Sequence, residues 1–166
     1  MELQDLFRAL QLRNIRYLLC GGLAVNIYGI PRSTADVDIV LDFETENVTA
    51  FLNTIKILSF TSTLPLSFEV LIDLEERQKL IQQRNLIAYS FFNSERNVFS
   101  LDVLVKVPIS FEEMWERRET RKFGNAKIQM VSMEDLILMK QATDRTQDKE
   151  DVILLIGLTN KNNDKK

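Results

Sequence analysis

The chain has 166 residues, of which 45% are apolar and 27% are charged, as in one ordinary globular domain. The net charge of −3 gives no overall attraction for nucleic acid, and the lack of histidine excludes histidine triads, histidine bases and histidine-ligated zinc. One cysteine excludes an internal disulfide, and no apolar run approaches the roughly 18 residues of a membrane span, so we expect a cytoplasmic protein outside the membrane.

The chain begins with a predicted helix, a strand and a second, shorter helix. Apolar residues at helical spacing in "ELQDLFRAL" predict a helix over 2–10, and the apolar run "RYLLC" predicts a buried strand over 16–20. The adjacent glycines Gly21 and Gly22 then predict a tight turn. A short helix follows over 23–29 and ends at a glycine.

The next predicted strand carries acids on one of its faces. "DVDIVLD" predicts a strand over 36–42. Because side chains alternate along a strand, Asp36 and Asp38 are expected to point away from the apolar residues between them. The period of "TENVTAFLNTIKIL" predicts a helix over 45–58. The segment 59–70 favours neither helix nor strand.

The middle of the chain predicts a charged helix followed by a hairpin. "DLEERQKLIQQRN" indicates a helix over 73–85. The apolar runs over 86–92 and 99–107 flank the polar loop "NSERN" at 93–97. Two strand-like runs around a short polar loop are typical of a β-hairpin.

The remaining elements are mostly helical. A capping box at 110–113 predicts the start of a helix over 111–119, and "AKIQMV" predicts a strand over 126–131. Two more helices are expected over 133–143 and 148–158. The basic run "ERRETRK" is then expected on a solvated helix face, and it is also the best candidate for contact with RNA.

These elements favour an α/β (α+β) fold, because strands and helices mix without strict alternation. We expect a mixed β-sheet flanked by helices, with C-terminal helices closing it. The domain is predicted to span 1–158, with its C-terminal helical part at about 132–158, and the polar residues 159–166 are predicted to form a tail.

Three aspartates are the candidate metal ligands. Asp36 and Asp38 should lie on one face of a strand, and Asp102 sits between apolar residues of a second predicted strand, where aspartate is disfavoured. At about 7 Å and an effective dielectric of ~20, two such carboxylates repel each other by roughly 2–3 kcal/mol. A bound cation reverses that effect, and magnesium prefers these hard oxygen ligands. Taken singly, each aspartate has an ordinary structural explanation as a turn or surface residue.

The glycine pair is the second half of the pattern. Glycines between a strand and a helix let backbone N–H groups approach an anion closely. "GG" alone is a weak signal, since a tight turn also requires glycine. Followed by acid-apolar-acid on a strand, it becomes more specific.

At this point "CGGLAVNIYGIPRSTADVDIVLD" resembles the motif of the polymerase-beta-type nucleotidyltransferase superfamily, and in particular its minimal bacterial and toxin-like members. The resemblance implies a mixed sheet flanked by helices. It also implies transfer of a nucleoside monophosphate from a nucleoside triphosphate, such as ATP, to an acceptor. It touches most of the chain, but 59–95 carries no motif of the family.

Site residues follow from the resemblance position by position. It implies that Gly21 and Gly22 hold the triphosphate, and that Asp36, Asp38 and Asp102 are catalytic and bind the metal. That metal would be Mg²⁺, bound as two ions, with Mn²⁺ as an alternative. The resemblance also matches the following residues to nucleotide binding: Arg32, Thr34 and Lys140. Many members carry serine at the position of Gly22, and the hydroxyl group of that serine would contact a phosphate.

Several of these residues have competing interpretations. Arg32 either solvates a loop or steers the triphosphate with its planar, permanently charged group. Lys140 lies on an apolar predicted helix. Its side chain is expected to extend to solvent, and contact with a phosphate is the alternative. Arg145, Asp148 and Asp151 are expected to form a surface or inter-helix charge network, and Trp115 is expected to be a packing anchor.

Two functions of different classes remain open from the sequence. The first is a metal-dependent nucleotidyltransferase whose acceptor is a hydroxyl of RNA, protein or a small molecule. The alternative is a non-catalytic nucleotide-binding module, or a toxin–antitoxin interaction module with an antitoxin-type protein partner, that keeps the fold. The three retained acids favour the enzyme. The sequence does not determine the oligomeric state.

Overall fold

The computed structural model describes residues 2–63, 68–93 and 99–163. The helices are α1 (Leu3–Leu12), α2 (Gly21–Ile27), α3 (Thr45–Ile57), α4 (Leu74–Arg84), α5 (Phe111–Glu116), α6 (Met133–Gln141) and α7 (Thr146–Asn163), with a 3-10 turn at Phe68–Leu71. The strands are β1 (Tyr17–Leu19), β2 (Asp36–Leu41), β3 (Phe60–Ser62), β4 (Ala88–Asn93), β5 (Ser100–Leu104), β6 (Glu119–Phe123) and β7 (Ala126–Met130).

One mixed sheet contains all of these strands, in the order β3-β4-β5-β2-β1-β7-β6. At its centre β2 runs parallel to β5 and antiparallel to β1, while β1 runs parallel to β7. The hairpins β4–β5 and β6–β7 extend the sheet on either side. The predicted mixed sheet with flanking and C-terminal helices is therefore confirmed.

The apolar core lies between one face of the sheet and helices α1 and α3. Phe7 of α1 stacks on Tyr17 of β1, with ring centroids 6.1 Å apart. Phe51 of α3 meets Phe91 of β4 edge to face, with centroids 6.1 Å apart. Val37 of β2 lies on this same buried face, because strand register places it in one row with Phe91. The opposite face of β2 and β5 is therefore the one that carries the polar side chains.

The predicted helix over 111–119 is wrong at its end. The capping box at Ser110 is confirmed, but α5 ends at Glu116, and Glu119–Phe123 forms strand β6 of an antiparallel hairpin with β7. The hairpin turns at Gly124, whose φ is +58°. No residue of β6 is buried, so this edge strand lacks the apolar alternation by which strands are predicted. The basic run therefore does not lie on a helix face.

Smaller differences concern element ends. Helix α2 begins at Gly21 itself rather than after the glycine pair, and α7 continues to Asn163 beyond the predicted end of the last helix. Strand β3 lies inside the segment whose structure the sequence did not indicate. The tip of the predicted hairpin loop, at 94–98, and residues 164–166 of the predicted tail lie outside the described residues. The division into a domain and a tail stays a prediction.

Within the described ranges, none of the helices combines the length and the apolar character that crossing a membrane requires.

Candidate functional site

The parallel pairing of β2 with β5 brings the three predicted acids together. Asp38 lies directly opposite Asp102 in the register, and Asp36 lies opposite Ser100, two residues earlier on the same face. Neighbouring strands are separated by about 4.8 Å, so Asp38 and Asp102 are next to each other across the sheet. Ser90 of β4 continues this polar row, because it pairs with Asp102 from the other side.

Each of the three carboxylates contacts a different neighbour. Asp36 Oδ1 accepts a hydrogen bond of 2.6 Å from Ser100 Oγ. The backbone N–H of Gly22 lies close enough to the Asp38 carboxylate to lower its pKa, and the Ser90 side chain does the same for Asp102. Asp102 Oδ1 is buried and has no hydrogen-bond partner within the part of the chain that the structure describes. A buried carboxylate oxygen without a partner is costly, so this atom favours an additional ligand.

Burial and mutual repulsion disfavour the charged form of these acids. Burial, followed by the negative charges of Asp102 and Asp36, raises the pKa of Asp38 to about 6. Burial and the charge of Asp36 also raise the pKa of Asp102, against the opposing effect of the bond from Ser90. Among the residues described, none of the three acids forms an ion pair with a lysine or arginine.

The donor set fits a divalent cation, although the side chains do not yet surround one. In the described ranges, no three histidine, cysteine, aspartate or glutamate side chains are arranged to hold a metal ion. Each carboxylate instead has its own neighbour: Asp36 accepts a hydrogen bond from Ser100, while Gly22 and Ser90 lie beside Asp38 and Asp102. Three carboxylates in adjacent rows are nevertheless the hard oxygen donors that magnesium prefers. Rotation of these side chains would be needed to bring their oxygens to one ion.

The glycine pair allows the Asp38 carboxylate to lie against the backbone of α2. Gly21 has a φ of +62°, and a Cβ at this position would lie 1.8 Å from Asp38 Oδ2. A Cβ on Gly22 would lie 2.8 Å from Thr34 Oγ1 and 3.1 Å from Arg32 Cζ. Gly21 therefore requires glycine, both for its positive φ and for the approach of Asp38, whereas a larger residue at Gly22 would have to displace the side chains of Thr34 and Arg32. The Gly22 N–H, which was expected to face a triphosphate, lies close enough to the Asp38 carboxylate to lower its pKa.

The loop between α2 and β2 is fastened to α2. Asn26 Oδ1 accepts the backbone N–H of Arg32 at 2.7 Å, and Asn26 Nδ2 donates to the Arg32 carbonyl oxygen at 3.0 Å. Thr34 Oγ1 donates to the carbonyl oxygen of Asp36 at 3.3 Å. Arg32 and Thr34, both predicted nucleotide ligands, therefore lie beside Gly22 and border the row of acids.

Lys140 does not extend to solvent, so that interpretation is wrong. It is 5% exposed, and its Nζ lies 2.8 Å from Asp148 Oδ1 and 2.7 Å from Asp151 Oδ2. Asp151 also pairs with Arg32 Nη1, and Asp148 accepts a bond of 2.7 Å from Arg145 Nε. The expected network between the C-terminal helices is confirmed, but both of its aspartates are buried rather than on the surface.

Two site residues were missed at the sequence level. Ser100 donates a hydrogen bond to Asp36, and Ser90 lies beside Asp102 and lowers its pKa, but the sequence pattern indicated neither serine. Ser100 could have been found, because it lies two residues before Asp102 on a predicted strand and must share its face. Ser90 could not, because its position beside Asp102 depends on the register of the β4–β5 hairpin.

Trp115 is a packing residue, as predicted. Its ring stacks on Phe111 with centroids 5.5 Å apart, and the Cζ atoms of Arg16 and Arg118 lie 4.9 Å and 4.1 Å from its centroid. Within the same basic run, Arg117 pairs with Asp135 at 2.7 Å. Much of the positive charge of the run is therefore engaged within the chain, and contact with RNA stays a prediction.

Comparison with known proteins places the chain among nucleotidyltransferases. A family model described as "Nucleotidyltransferase of unknown function (DUF6036)" matches residues 1–160. No curated protein matches the sequence.

Several solved structures share the fold. The lincosamide antibiotic adenylyltransferase LnuA, in its lincomycin-bound structure, is 16% identical with a TM-score of 0.59, over 95% of this chain and 98% of that chain. The antibiotic-resistance factor ANT(2'')-Ia, in a solution structure, is 12% identical with a TM-score of 0.57, over 92% and 80% of the two chains. An antigenic nucleotidyltransferase-like protein from Paracoccidioides brasiliensis is 21% identical with a TM-score of 0.53, over 94% and 74%. These structural likenesses show the fold. Because the family model matches nearly the whole sequence, the chain belongs to this family of nucleotidyltransferases.

Proposed function

We propose that the protein transfers a nucleoside monophosphate from a nucleoside triphosphate to a hydroxyl group of an acceptor and releases pyrophosphate. The observation that carries this proposal is the polar row across β2 and β5. Asp38 lies beside Asp102, and Asp36 shares their face, next to the Gly21 turn. Acids gathered in this way without a cation of their own favour a substrate that arrives with divalent ions, as nucleoside triphosphates do.

The three aspartates are the residues that would hold magnesium, or manganese, which prefers similar oxygen ligands. Bound there, the ion would neutralise phosphate charge and lower the pKa of the attacking hydroxyl. The pKa values of Asp38 and Asp102, raised by burial and repulsion, and the unpartnered Oδ1 of Asp102 support this assignment. Asp36 is exposed, so it lies on the side of the row from which solvent and ligands approach.

The chain's own cations and backbone would position the triphosphate. Arg32 and Thr34 border the glycine turn, and Arg32 presents a planar group suited to phosphate oxygens. Arg145 is 77% exposed and close enough to Asp38 that its charge opposes the rise in the pKa of that carboxyl. Positioning and charge neutralisation account for most of the rate in phosphoryl-type transfers.

Asp102 is the best candidate to accept the proton of the attacking hydroxyl. It is half-buried, and burial raises its pKa above the ordinary range of an aspartate. Its Oδ1 has no hydrogen-bond partner among the residues described, so this oxygen would be able to accept a proton. Its position beside Asp38 places this proton acceptor next to the proposed phosphate site.

We further propose a small hydroxylated molecule as the acceptor. The chain covers 98% of LnuA, whose structure contains lincomycin, and 84% of ANT(2'')-Ia in its complex with adenylyl-2''-tobramycin. RNA and protein acceptors are the competing outcomes of the test below.

The proposal is tested in two steps. First, the melting temperature is measured with ATP, CTP, GTP and UTP, each with and without magnesium. We expect stabilisation by at least one triphosphate only when magnesium is present, and stabilisation that does not need the metal would contradict the proposed site. Second, the α-labelled form of that triphosphate is incubated with separate pools of RNA, protein and small metabolites. Label in the small-molecule pool supports the proposed acceptor, and label in another pool replaces it.

A further inference from the structure

A buried lysine between two buried aspartates is the least expected feature near the site. Lys140 Nζ contacts Asp148 Oδ1 at 2.8 Å and Asp151 Oδ2 at 2.7 Å, and the side chains of the three residues are at most 6% exposed. Taking three charges out of water is costly unless each is paired and hydrogen-bonded. With its Nζ shared by two aspartates and shielded from solvent, Lys140 is poorly placed for direct contact with a phosphate.

Each aspartate also holds an arginine that borders the row of acids. Asp151 Oδ2 pairs with Arg32 Nη1, and Asp148 Oδ2 accepts a bond of 2.7 Å from Arg145 Nε. Lys140 is therefore linked to Arg32 through Asp151. It is linked to Arg145 through Asp148. Three cations and two anions give this cluster one net positive charge.

The contact to Arg32 sets where its guanidinium group lies. Arg32 Cζ is 3.1 Å from the position that a Cβ on Gly22 would occupy, so the group lies against the glycine turn. The Arg32 side chain is 21% exposed, and its Nε has no hydrogen-bond partner among the residues described. With one nitrogen held by Asp151, the remaining N–H groups of this planar fork are available to a phosphate.

We propose that Lys140 is a positioning residue, which holds Asp151 so that Asp151 directs Arg32 at the triphosphate beside Gly22. This inference rests on the proposed function, because it requires that the site bind a nucleoside triphosphate. Without Lys140, Asp151 would be a buried anion with Arg32 as its main cation, and Arg32 would be drawn inwards. The arrangement differs from direct contact between Lys140 and a phosphate.

A double-mutant cycle separates the two arrangements. The dissociation constant is measured with magnesium and the triphosphate, out of ATP, CTP, GTP and UTP, that most raises the wild-type melting temperature. The proteins are the wild type, Arg32→Gln, Lys140→Met, Asp151→Asn, and the two double variants that combine Arg32→Gln with each of the others. We expect Arg32→Gln to raise the dissociation constant about tenfold or more, as expected for a hydrogen bond to a charged group.

The expected sign of a positioning role is non-additivity. Lys140→Met and Asp151→Asn should each raise the dissociation constant about five- to tenfold in the wild type, but less than about twofold when Arg32 is already glutamine. If Lys140 contacts the phosphate itself, Lys140→Met should raise the dissociation constant by the same factor with or without Arg32→Gln. That result would overturn the inference. It is also overturned if Arg32→Gln leaves the dissociation constant unchanged. A purely structural role would lower the melting temperature and raise the constant by the same factor in both backgrounds.

Two controls keep the test decisive. Lys149→Met removes a lysine of α7 that is 64% exposed, and it should leave the dissociation constant unchanged. If Lys140→Met does not fold, Asp151→Asn tests the same contact with a side chain of equal size. A wild-type protein that binds no triphosphate with magnesium would overturn the proposed function and this inference together. Wild-type binding with multiplying effects would overturn this inference alone.

Discussion

Asp38 lies against the glycine turn and Asp151 pairs with the arginine beside that turn, yet like charges surround the first aspartate and cations surround the second. Asp38 has Asp102 and Asp36 beside it, and these negative charges raise its pKa together with burial. Asp151 is 1% exposed and contacts both Lys140 and Arg32. One region gathers like charges without a paired cation among the described residues, and the other pairs every buried acid.

The difference separates acids that hold the fold together from acids that await a ligand. A paired buried acid stabilises only with its partners present, so removing Asp148 or Asp151 should cost stability. A cluster of like charges costs stability in the absence of a cation, so it persists at positions where function requires it. The two regions should therefore respond in opposite ways to mutation, and five changes test this.

The largest expected effect is the loss of transfer in Asp38→Asn. We expect pyrophosphate release with magnesium and the best triphosphate to fall by at least about 10²–10³-fold, the usual cost of losing one charged group at a reacting centre. Without divalent ions, the melting temperature should stay the same or rise, because the substitution removes repulsion with Asp102 and Asp36. Asp144→Asn, at a fully exposed aspartate, is the matched control and should leave both measurements unchanged. Wild-type turnover in Asp38→Asn would contradict the assignment.

The opposite response is expected from Lys140→Met in the paired region. Because it leaves two buried aspartates without their shared cation, the free energy of unfolding should fall by about 3–5 kcal/mol. Urea denaturation measures this change. Lys149→Met, which removes only an exposed lysine, should change it by less than about 1 kcal/mol. Equal effects in the two variants would show that the buried cluster does not stabilise the fold.

The glycine turn links the two regions, and a pair of alanine substitutions tests its role. Gly21→Ala and Gly29→Ala both place alanine at positive φ, at +62° and +103°, and each should lower the free energy of unfolding by about 1–2 kcal/mol. Only Gly21→Ala also puts a Cβ 1.8 Å from Asp38 Oδ2, whereas a Cβ at Gly29 meets no atom within 4 Å. Magnesium-dependent stabilisation by the triphosphate should therefore weaken in Gly21→Ala alone. Equal weakening in both variants would count against the proposed site.

The paired region also predicts a dependence of stability on pH. Burial alone would raise the pKa of Asp148, but hydrogen bonds from Lys140, Thr143 and Arg145 outweigh it, and the pKa is lowered. A lowered pKa in the folded state gives stability that is present above the unfolded value of about 3.9 and is lost as the pH falls towards the folded value. Urea denaturation between about pH 3 and pH 6 should show the wild type losing more stability than Asp148→Asn as the pH falls. Parallel curves would contradict the lowered pKa.

The smallest effect is expected at Gly157, in the interior of α7. A Cβ at this position meets no atom within 4 Å, so alanine costs no collision and removes the entropy penalty of glycine in a helix. We expect Gly157→Ala to raise the free energy of unfolding by about 0.5–1 kcal/mol. Pyrophosphate release should not change, because the substitution stabilises α7 and does not alter the three aspartates of β2 and β5. Reduced release would show that α7 must move during turnover.

Much of the candidate site could be predicted because its pattern is local. The alternation of β2 is enough to put Asp36 and Asp38 on one face, and the glycine pair before it is readable without tertiary information. The fold class followed from the same elements. Edge strand β6 was missed because it buries no residue, so its segment has no apolar pattern to distinguish it from a charged helix end.

Tertiary structure alone decided which charges meet. The sequence by itself determined that three aspartates and a glycine turn exist, and which face of its strand each acid occupies, because these depend on the backbone period. That Asp102 lies beside Asp38 depends on the register of two strands far apart in the chain. That Lys140 is buried with Asp148 and Asp151, rather than extended into solvent, depends on how α6 packs on α7, since a lysine on an apolar helix can be satisfied in either way.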